Sequence, residues 1–460
     1  MSGQLRLREL LDSARATSLL AGGGLRERVA TETAPLFADC ARAVLASRDG
    51  EDADVHAFFV PGRVEVLGKH TDYAGGRSLV AAVERGLCLV ASPIDEPTWR
   101  VQALDVGGRC AFTIAPDLVP TVGHWSNYPM TVARRVARNF PHARRGASVA
   151  YRGNLPLDAG MSSSSTVMVA NFLAMSAVND LPASEAYRLE IQTSEHLAEY
   201  LGTVENGQSF GQLGGDRGVG TFGGSEDHVA MLCGRAGSLA QYSYCPVLGE
   251  RTIAVPRGCV FVLASCGVAS AKTGQARDRY NRASWLARAA VEAWNQAAIR
   301  SDPHLGAALA VAAPEAICAA LANAQPQDGF QSGEMLERFE HFHAESMEII
   351  PAAGDALAAG DLTEFGRQVD LSQHRAEDML HNQIPETVHL AATARQLGAI
   401  AASAFGAGFG GSVWALIPGD RVGPFIDRWS GKYAEAFGPA AARATFFVTA
   451  AGPAAFELKA

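Results

Sequence analysis

Small residues at 157–170, in the sequence LDAGMSSSSTVMVA, lead directly into an apolar helical pattern. Phosphate oxygens require backbone N–H donors that side chains do not obstruct, and a helix N-terminus supplies such donors together with the positive end of the helix dipole. The segment therefore indicates a phosphate-binding turn whose hydroxyl groups can also ligate Mg²⁺; its candidate residues are Gly160, Ser162, Ser163, Ser164 and Ser165. A Walker A loop is excluded because the segment lacks lysine. The alternative is an ordinary helix cap in a solvated loop.

A second cluster places five ionisable side chains within PGRVEVLGKHTDY at 61–73; they are Arg63, Glu65, Lys69, His70 and Asp72. Alternation along a strand puts Arg63 and Glu65 on the same face. A guanidinium group and fixed carboxylates suit the recognition of phosphates and sugar hydroxyls. The alternative, a solvated hairpin end, explains the charges but not the flanking glycines and apolar strands.

Two further segments carry weaker signals. In GTFGGSEDHVAML at 220–232, Ser225 precedes Glu226 and Asp227, and acidic residues are favoured at a helix N-terminus by the dipole, so capping alone is a sufficient explanation. In AFGAGFGGSVWALI at 404–417, a glycine-rich turn feeds a strand. Such a turn can approach a ligand closely, or it can simply be tight.

The elements that must position these residues form a mixed α and β pattern. Helical spacing fills the first 45 residues, strand-like runs lie on both sides of HTDYAGGR, and an apolar helix follows the serines. Further strands are predicted at CVFVLASC, 398–418 and 443–450, between helical segments. A chain of 460 residues is long enough for two or three domains. We predict two, at 1–245 and 246–460.

Composition limits the class of protein. With 48% apolar and 19% charged residues the chain is globular, and a net charge of −9 argues against a nucleic-acid partner. We expect no signal peptide. We also expect no membrane partner, because no uncharged apolar run approaches the ~20 residues of a spanning helix. A cytoplasmic location is therefore expected. The eight cysteines form no C-x-x-C pair and are interpreted as reduced core thiols.

Taken together, in order and spacing, these motifs resemble those of the GHMP kinases, and within them the galactokinases. PGRVEVLGKHTDYAGG is similar to the galactokinase signature GRVNLIGEHTDY, LPLDAGMSSSSTVMVA to PxGxGLSSSAA, and AASAFGAGFGGSVWAL to the GxGFGG motif. HWSNYPMTVARRVA, RDRYNRA and GVGTFGGSEDH resemble three smaller family segments, the last of them GxxCGIMDQ. The resemblance covers roughly residues 55–450. It implies an α+β, two-lobed GHMP kinase fold with the active site in the cleft between the lobes.

The resemblance also implies roles in phosphoryl transfer from ATP. Asp227 matches the family's carboxylate beside the anomeric hydroxyl, and Arg63 matches the guanidinium group beside that carboxylate. Ser164 and Glu205 match the Mg²⁺ site, with Glu195 or Glu199 as alternatives to Glu205. Trp125 falls where the family has a tryptophan against adenine, although a single tryptophan at a helix start is more often core. The serine turn would hold the β- and γ-phosphates of ATP.

The sugar-binding positions of the family fall on six residues: Glu65, Lys69, His70, Asp72, Tyr280 and Gly408. Two of them depart from the usual signature, since Glu65 replaces asparagine and Lys69 replaces the glutamate that accepts hydrogen bonds from the outer hydroxyls. The expected function is ATP-dependent phosphorylation of the anomeric C1 hydroxyl of galactose or a related sugar. Lys69 motivates one alternative, a uronic-acid 1-kinase, and a non-catalytic sugar sensor is another. We expect a monomer or a weak homo-oligomer.

Overall fold

The computed structural model describes residues 4–47, 53–156, 160–269 and 274–460, with the side chains of 274–277 left out of the description. Its helices are α1 (Leu7–Leu11), α2 (Ser13–Gly22), α3 (Glu27–Leu45), α4 (Asn127–Asn139), α5 (Ser163–Asn179), α6 (Glu185–Glu190), α7 (Ser194–Asn206), α8 (Glu226–Cys233), α9 (Gly274–Ala298), α10 (Leu305–Leu309), α11 (Pro314–Ala322), α12 (Ser332–His343), α13 (Ile350–Ala359), α14 (Leu362–Asp378), α15 (Pro385–Gln396), α16 (Val422–Ala436) and α17 (Gly438–Ala441). Its strands are β1 (His56–Leu67), β2 (Arg77–Ile94), β3 (Thr98–Ala103), β4 (Gly108–Thr113), β5 (Gly146–Gly153), β6 (Ser238–Ser243), β7 (Leu248–Ala254), β8 (Cys259–Ser265), β9 (Ala401–Phe405), β10 (Ser412–Pro418), β11 (Thr445–Thr449) and β12 (Phe456–Glu457).

The first lobe is built on an eight-stranded sheet in the order β12-β1-β2-β5-β3-β4, with β6 added to the first part of β2 and β7 paired to β6. All pairs are antiparallel except β3 with β5. β1 and β2 are buried along nearly their whole length because helices cover both of their faces. The register of β1 against β2 shifts on each side of 63–65, which kinks the strand where Arg63 and Glu65 project.

The second lobe carries a four-stranded antiparallel sheet in the order β11-β8-β10-β9. A π-helical segment at Ala344–Ile349 joins α12 to α13, so the chain stays helical between them. The domain boundary predicted after residue 245 lies inside the β6–β7 hairpin of the first sheet. By strand order, the change of sheet comes between Ala254 and Cys259, and the chain returns to the first sheet at β12.

The two sheets share one apolar core. Val64 and Val66 of β1 belong to the same buried cluster as Leu263 of β8 and Trp414 of β10. A cluster of this kind fixes the lobes against each other, and Met161, directly before the serines, belongs to it. The predicted α+β, two-lobed class is confirmed.

Most predicted elements are present, including the helices of the first 45 residues, the strands flanking HTDYAGGR and the helix after the serines. The hairpins β3–β4 and β6–β7 were not predicted. All eight cysteines are free, but only Cys40, Cys88 and Cys266 are buried, and Cys245 is exposed, so not every thiol lies in the core. Within the described part of the chain, no helix combines the length and apolar character needed to cross a membrane.

Candidate active site

An ion pair joins the strand β1 to the start of α8. Arg63 Nε donates to Asp227 Oδ1 at 2.6 Å, and Arg63 Nη1 donates to the carbonyl oxygen of Gly160 at 2.7 Å. The Arg63 side chain is 4% exposed and that of Asp227 is 16% exposed, so the carboxylate is the more accessible member of a pair that lines the pocket with both side chains. One guanidinium group thus holds both the carboxylate and the backbone just before the serines.

The charge of Arg63 is secured by its surroundings. Burial by itself would lower the pKa of the guanidinium group, but the carboxylates of Asp227 and Glu65 outweigh that cost, and the net effect is a raised pKa. Arg63 is also the only arginine or lysine among the described residues that line this pocket. Any negative charge that develops here meets one fixed cation.

The predicted phosphate-binding turn opens α5. Ser162 precedes the helix with a left-handed backbone, φ 58°, and Gly160 has φ 71°. Ser162 Oγ is buried and has no hydrogen-bond partner among the described residues. A buried hydroxyl without a partner, at a helix N-terminus whose first N–H groups have no partner within the helix, suits the binding of an anion. Leu157 to Ala159, the first residues of the motif, lie outside the described residues.

Behind this turn, a small polar group links α5, α7 and α8. Ser165 Oγ donates to Glu205 Oε2 at 3.0 Å and to Asp227 Oδ2 at 3.5 Å. Thr221 Oγ1 donates to Glu205 Oε1 at 3.4 Å, and His228 Nε2 lies 3.5 Å from Glu205 Oε2. Ser165 is fully buried and does not line the pocket, so it contacts the carboxylates rather than the space where a phosphate would lie.

One pocket contains the serine turn, the ion pair and an aromatic wall. Gly160, Ser162, Ser163, Ser164 and Glu205 line it together with Arg63 and Asp227. Trp125 also lines it, with the ring centroid of Tyr151 6.4 Å away, and the lining includes Leu87, Val106, Tyr128 and Leu155. An apolar, aromatic wall next to a phosphate-binding turn has the character of a nucleotide-base site.

The turn after β1 supplies a further side of the same pocket. His70 has φ 59°; one ring nitrogen lies 2.9 Å from the Tyr73 hydroxyl and the other 3.1 Å from the Ala407 carbonyl oxygen. Asp72 accepts from the backbone N–H of Glu226 at 3.1 Å. Tyr280 lies with its ring centroid 5.4 Å from that of His70. His70, Asp72 and Tyr280, which the sequence positions assigned to a sugar site, all line this pocket.

Two buried glutamates meet at the side of the ion pair. Glu65 and Glu226 are 4% and 5% exposed, line the pocket, and contact each other through their carboxyl groups. Burial is the main cause that raises the pKa of both carboxyl groups, and repulsion from Glu65 adds to it for Glu226. The shared contact therefore requires a proton.

Comparison with known proteins agrees with this geometry. Residues 47–93 match the galactokinase galactose-binding signature, 127–209 the GHMP kinase N-terminal domain and 355–435 the GHMP kinase C-terminal domain. The galactokinase of Actinobacillus pleuropneumoniae serotype 5b is 25% identical over 372 residues, which cover 79% of this chain and 85% of the relative. That of Glaesserella parasuis serovar 5 is 25% identical over 373 residues, 80% and 87% of the two chains.

The chain thus matches the galactokinase signature and both GHMP kinase domains. Among solved structures, Lactococcus lactis galactokinase complexed with galactose superimposes with a TM-score of 0.73 at 22% identity, covering 90% of this chain and 97% of that one. Methanococcus jannaschii mevalonate kinase gives 0.51 at 12% identity, covering 88% and 99%. At such identities the structures establish the shared fold, while the sequence signature marks the chain as galactokinase-like.

The side chain of Lys69 does not lie at the sugar site, where the resemblance to galactokinases placed it. Its side chain is fully buried and does not line the pocket. Lys69 Nζ donates to Ser403 Oγ at 2.9 Å and to Ser372 Oγ at 3.2 Å, and Ser372 Oγ donates to Glu345 Oε1 at 2.9 Å. The ammonium group is thus held between β9 and α14 and points away from the space available to a sugar.

Three other residues that the sequence assigned to the site also lie outside the pocket. Gly408 does not line the pocket; Gly406 and Ala407 do, and the positive φ of Gly408 lets the turn pack on Asn382, where a Cβ would lie 2.3 Å from the carbonyl oxygen. Glu199 accepts from the backbone N–H of Val247, and neither it nor Glu195 reaches the pocket. Of the three candidate metal carboxylates, Glu205 alone lines it.

Sequence reasoning did not single out several residues of the pocket. Glu226 and His228 stand on either side of Asp227, and Glu226 was interpreted only as a capping residue. Tyr128 and Tyr151 lie beside Trp125, on α4 and β5. The charged SEDH tetrapeptide contained a signal for the first two, because a glutamate in a buried helix start needs a partner. No local signal marks the tyrosines.

Proposed function

We propose that this protein is an ATP-dependent sugar kinase that phosphorylates the anomeric C1 hydroxyl of galactose or a close relative. The observation that carries the proposal is the Arg63–Asp227 ion pair at 2.6 Å, in a pocket that the serine turn also lines. The galactose-binding signature and the galactokinase relatives support the same acceptor. Because such an enzyme draws on the ATP of the cell interior, we also propose a cytoplasmic location.

In this mechanism Asp227 orients the anomeric hydroxyl and accepts its proton as the oxygen bonds to the γ-phosphorus of ATP; the bond from that phosphorus to the bridging oxygen breaks, and ADP leaves. Arg63 keeps the carboxylate ionised before the reaction and faces the charge that spreads over the transferring phosphoryl group. His70, Asp72 and Tyr280 would hold the other hydroxyls of the sugar. The serine turn would hold the phosphates through its N–H groups and the Ser162 hydroxyl.

The donor set fits Mg²⁺ as well as ATP. Ser164 and Glu205 line the same pocket as the serine turn, whereas no group of three or more His, Cys, Asp or Glu side chains in the described part of the chain could hold a metal by itself. Mg²⁺ in phosphoryl-transfer enzymes usually takes one or two carboxylates and completes its shell with phosphate oxygens and water. When bound, it would neutralise charge on the phosphates; Ser164 and Glu205 would hold it.

The lining of the acceptor side favours a neutral sugar over a uronic acid. The carboxylates of Glu65, Asp72 and Asp227 line it against the single cation Arg63, and Lys69, the residue that suggested a carboxylate-bearing substrate, faces another way. A sugar carboxylate would therefore meet like charge. The sensor alternative is not favoured either, because Arg63, Asp227 and the serine turn are assembled in one pocket.

The experiment that tests the proposal is a coupled assay of ADP release with Mg²⁺-ATP and a panel of hexoses, pentoses and uronates, followed by identification of the phosphorylated position. We expect galactose or a close neutral relative to give the highest kcat/KM and a 1-phosphate product. Asp227→Asn should lower kcat by about 10²–10⁴-fold, the usual contribution of a general base. The exposed Asp117→Asn serves as the control. No ADP release with any sugar, or an equal rate in Asp227→Asn, would refute the proposal.

A further inference from the structure

The carboxyl pair of Glu65 and Glu226 has no role in the proposed reaction so far. Glu65 stands where the galactokinase signature has asparagine, and Glu226 stands at the methionine of the MDQ segment. The two departures bring two acids into contact in a buried position. A buried pair of carboxylates is unfavourable unless something compensates for the charge.

Hydrogen bonding defines where that compensation must come from. Glu65 Oε2 accepts from the backbone N–H of Gly406 at 3.2 Å, while Glu65 Oε1 is buried and receives no hydrogen bond from any donor in the described part of the chain. The carboxyl of Glu226 is the side chain in hydrogen-bond contact with the Glu65 carboxyl. A proton on Glu226 turns that carboxyl into an O–H donor and satisfies Oε1.

The pair sits where β1, the start of α8 and the glycine turn of the second lobe meet. Glu65 lies two residues after Arg63 on β1 and holds the glycine turn of the second lobe through Gly406. Glu226 immediately precedes Asp227, and its backbone N–H is bound by Asp72. A hydrogen bond between the two carboxyl groups therefore fixes β1, α8 and the glycine turn to one another.

We infer that Glu226 is a positioning residue, a neutral acid whose O–H donates to Glu65 and so fixes Asp227 opposite Arg63 for the phosphoryl transfer. The inference rests on the proposed function for its kinetic consequence, but not for its structural content. Its role is separate from that of Asp227, which contacts the substrate. Glu226 acts through the backbone that it shares with the base.

The surrounding charges agree on which group carries the proton. Glu65 faces the cations Arg63 and Lys69, which favour its ionised form against the effect of burial. Glu226 faces Glu65, Asp72 and Asp227, with Arg63 as the opposing charge and the Tyr244 hydroxyl nearby, and burial raises its pKa well above the ordinary range. As pH rises through that pKa, Glu226 loses its proton to solvent and repels Glu65. Activity should then fall on the alkaline side.

The test compares Glu226→Gln, Glu226→Leu and the exposed control Glu185→Gln across pH. Glutamine donates an N–H in the place of the O–H, so Glu226→Gln should keep kcat within about 3-fold of the wild-type value near neutral pH. Because glutamine cannot ionise, the decrease in activity at alkaline pH should be absent from this variant. Glu226→Leu removes the donor and leaves Glu65 Oε1 buried without a partner, which is unfavourable for an acceptor. It should lower kcat about 10-fold, with little change in KM for ATP.

Infrared difference spectra of the wild type minus Glu226→Gln, at pH 7, give a readout that needs no activity. We expect a carbonyl-stretch band of a protonated carboxylic acid. Absence of that band overturns the inference whatever the enzyme phosphorylates, and so does an unchanged alkaline limb in Glu226→Gln. If the wild type phosphorylates no sugar but the band is present, the proposed function is refuted, while the inference that Glu226 is a protonated carboxylic acid is supported.

Discussion

The direction of the Lys69 side chain decides whether this residue can contact a substrate. By residue type it suits a sugar carboxylate, but its ammonium group is enclosed by Ser372 and Ser403, with Glu345 as the next group along the hydrogen-bond chain. Removing one member of a buried charged network leaves the others uncompensated, which typically costs 3–5 kcal/mol. The residue therefore belongs to the stability of the lobe junction rather than to substrate choice.

We expect Lys69→Met to lower the free energy of unfolding by about 3 kcal/mol and to leave the ratio of kcat/KM for galactose to that for galacturonate unchanged. Methionine has a similar length, so the loss reports the charge. Denaturant unfolding and the two-sugar assay measure the two effects, with Lys432→Met as the exposed lysine control. A ratio that moves towards galactose by 10-fold or more would return Lys69 to the sugar site.

At the scale of the element, the start of α5 combines an unusual backbone with a buried hydroxyl. Among the described residues, eight other than glycine have positive φ, and three of them, His70, Ser162 and Phe409, lie in the turns around the pocket. Such conformations persist where the surrounding structure enforces them and are concentrated at functional sites. At Ser162 the backbone directs N–H groups and Oγ to the same space.

Ser162→Gly and Ser162→Ala separate these two contributions. Both remove the hydroxyl and should raise KM for ATP by about 10-fold, which corresponds to ~1.4 kcal/mol of lost binding. Glycine accepts positive φ freely, whereas alanine does not, so Ser162→Gly should be the more stable by roughly 1 kcal/mol. Steady-state kinetics and thermal unfolding measure both. An unchanged KM for ATP in the two variants would mean that the hydroxyl does not serve the nucleotide.

Elements of this kind were largely readable from the sequence, because glycine and serine at a helix start, and alternation in β1, are local properties. The hairpins β3–β4 and β6–β7 were missed. In β3, TWRVQA does alternate polar and apolar residues and could have been read, whereas β4, β6 and β7 mix polar and apolar residues without a clean period. The direction of Lys69 and the contact between Glu65 and Glu226 are tertiary properties. They join residues up to 334 positions apart in the chain, and no local pattern records them.

At the scale of the whole molecule, the lobes are not independent units joined by a linker. Strands β1 and β2 of the first sheet share one buried cluster with β8, β9 and β10 of the second, and β12 brings the chain back to β1. Folding of either lobe alone would leave this apolar surface in water. The pocket is then a fixed concavity between parts that unfold together.

Leu263 tests that cooperativity because it belongs to the second sheet and is fully buried in the shared cluster. Leu263→Ala should lower the free energy of unfolding by about 2–5 kcal/mol, the usual cost of a leucine-sized cavity. Scanning calorimetry should give one transition in the wild type, and the variant should shift it as a whole. Two transitions, of which Leu263→Ala moves only one, would mean that the lobes unfold separately. In that case the shared cluster would hold the lobes in place without coupling their stability, and the pocket between them could open while each lobe stays folded.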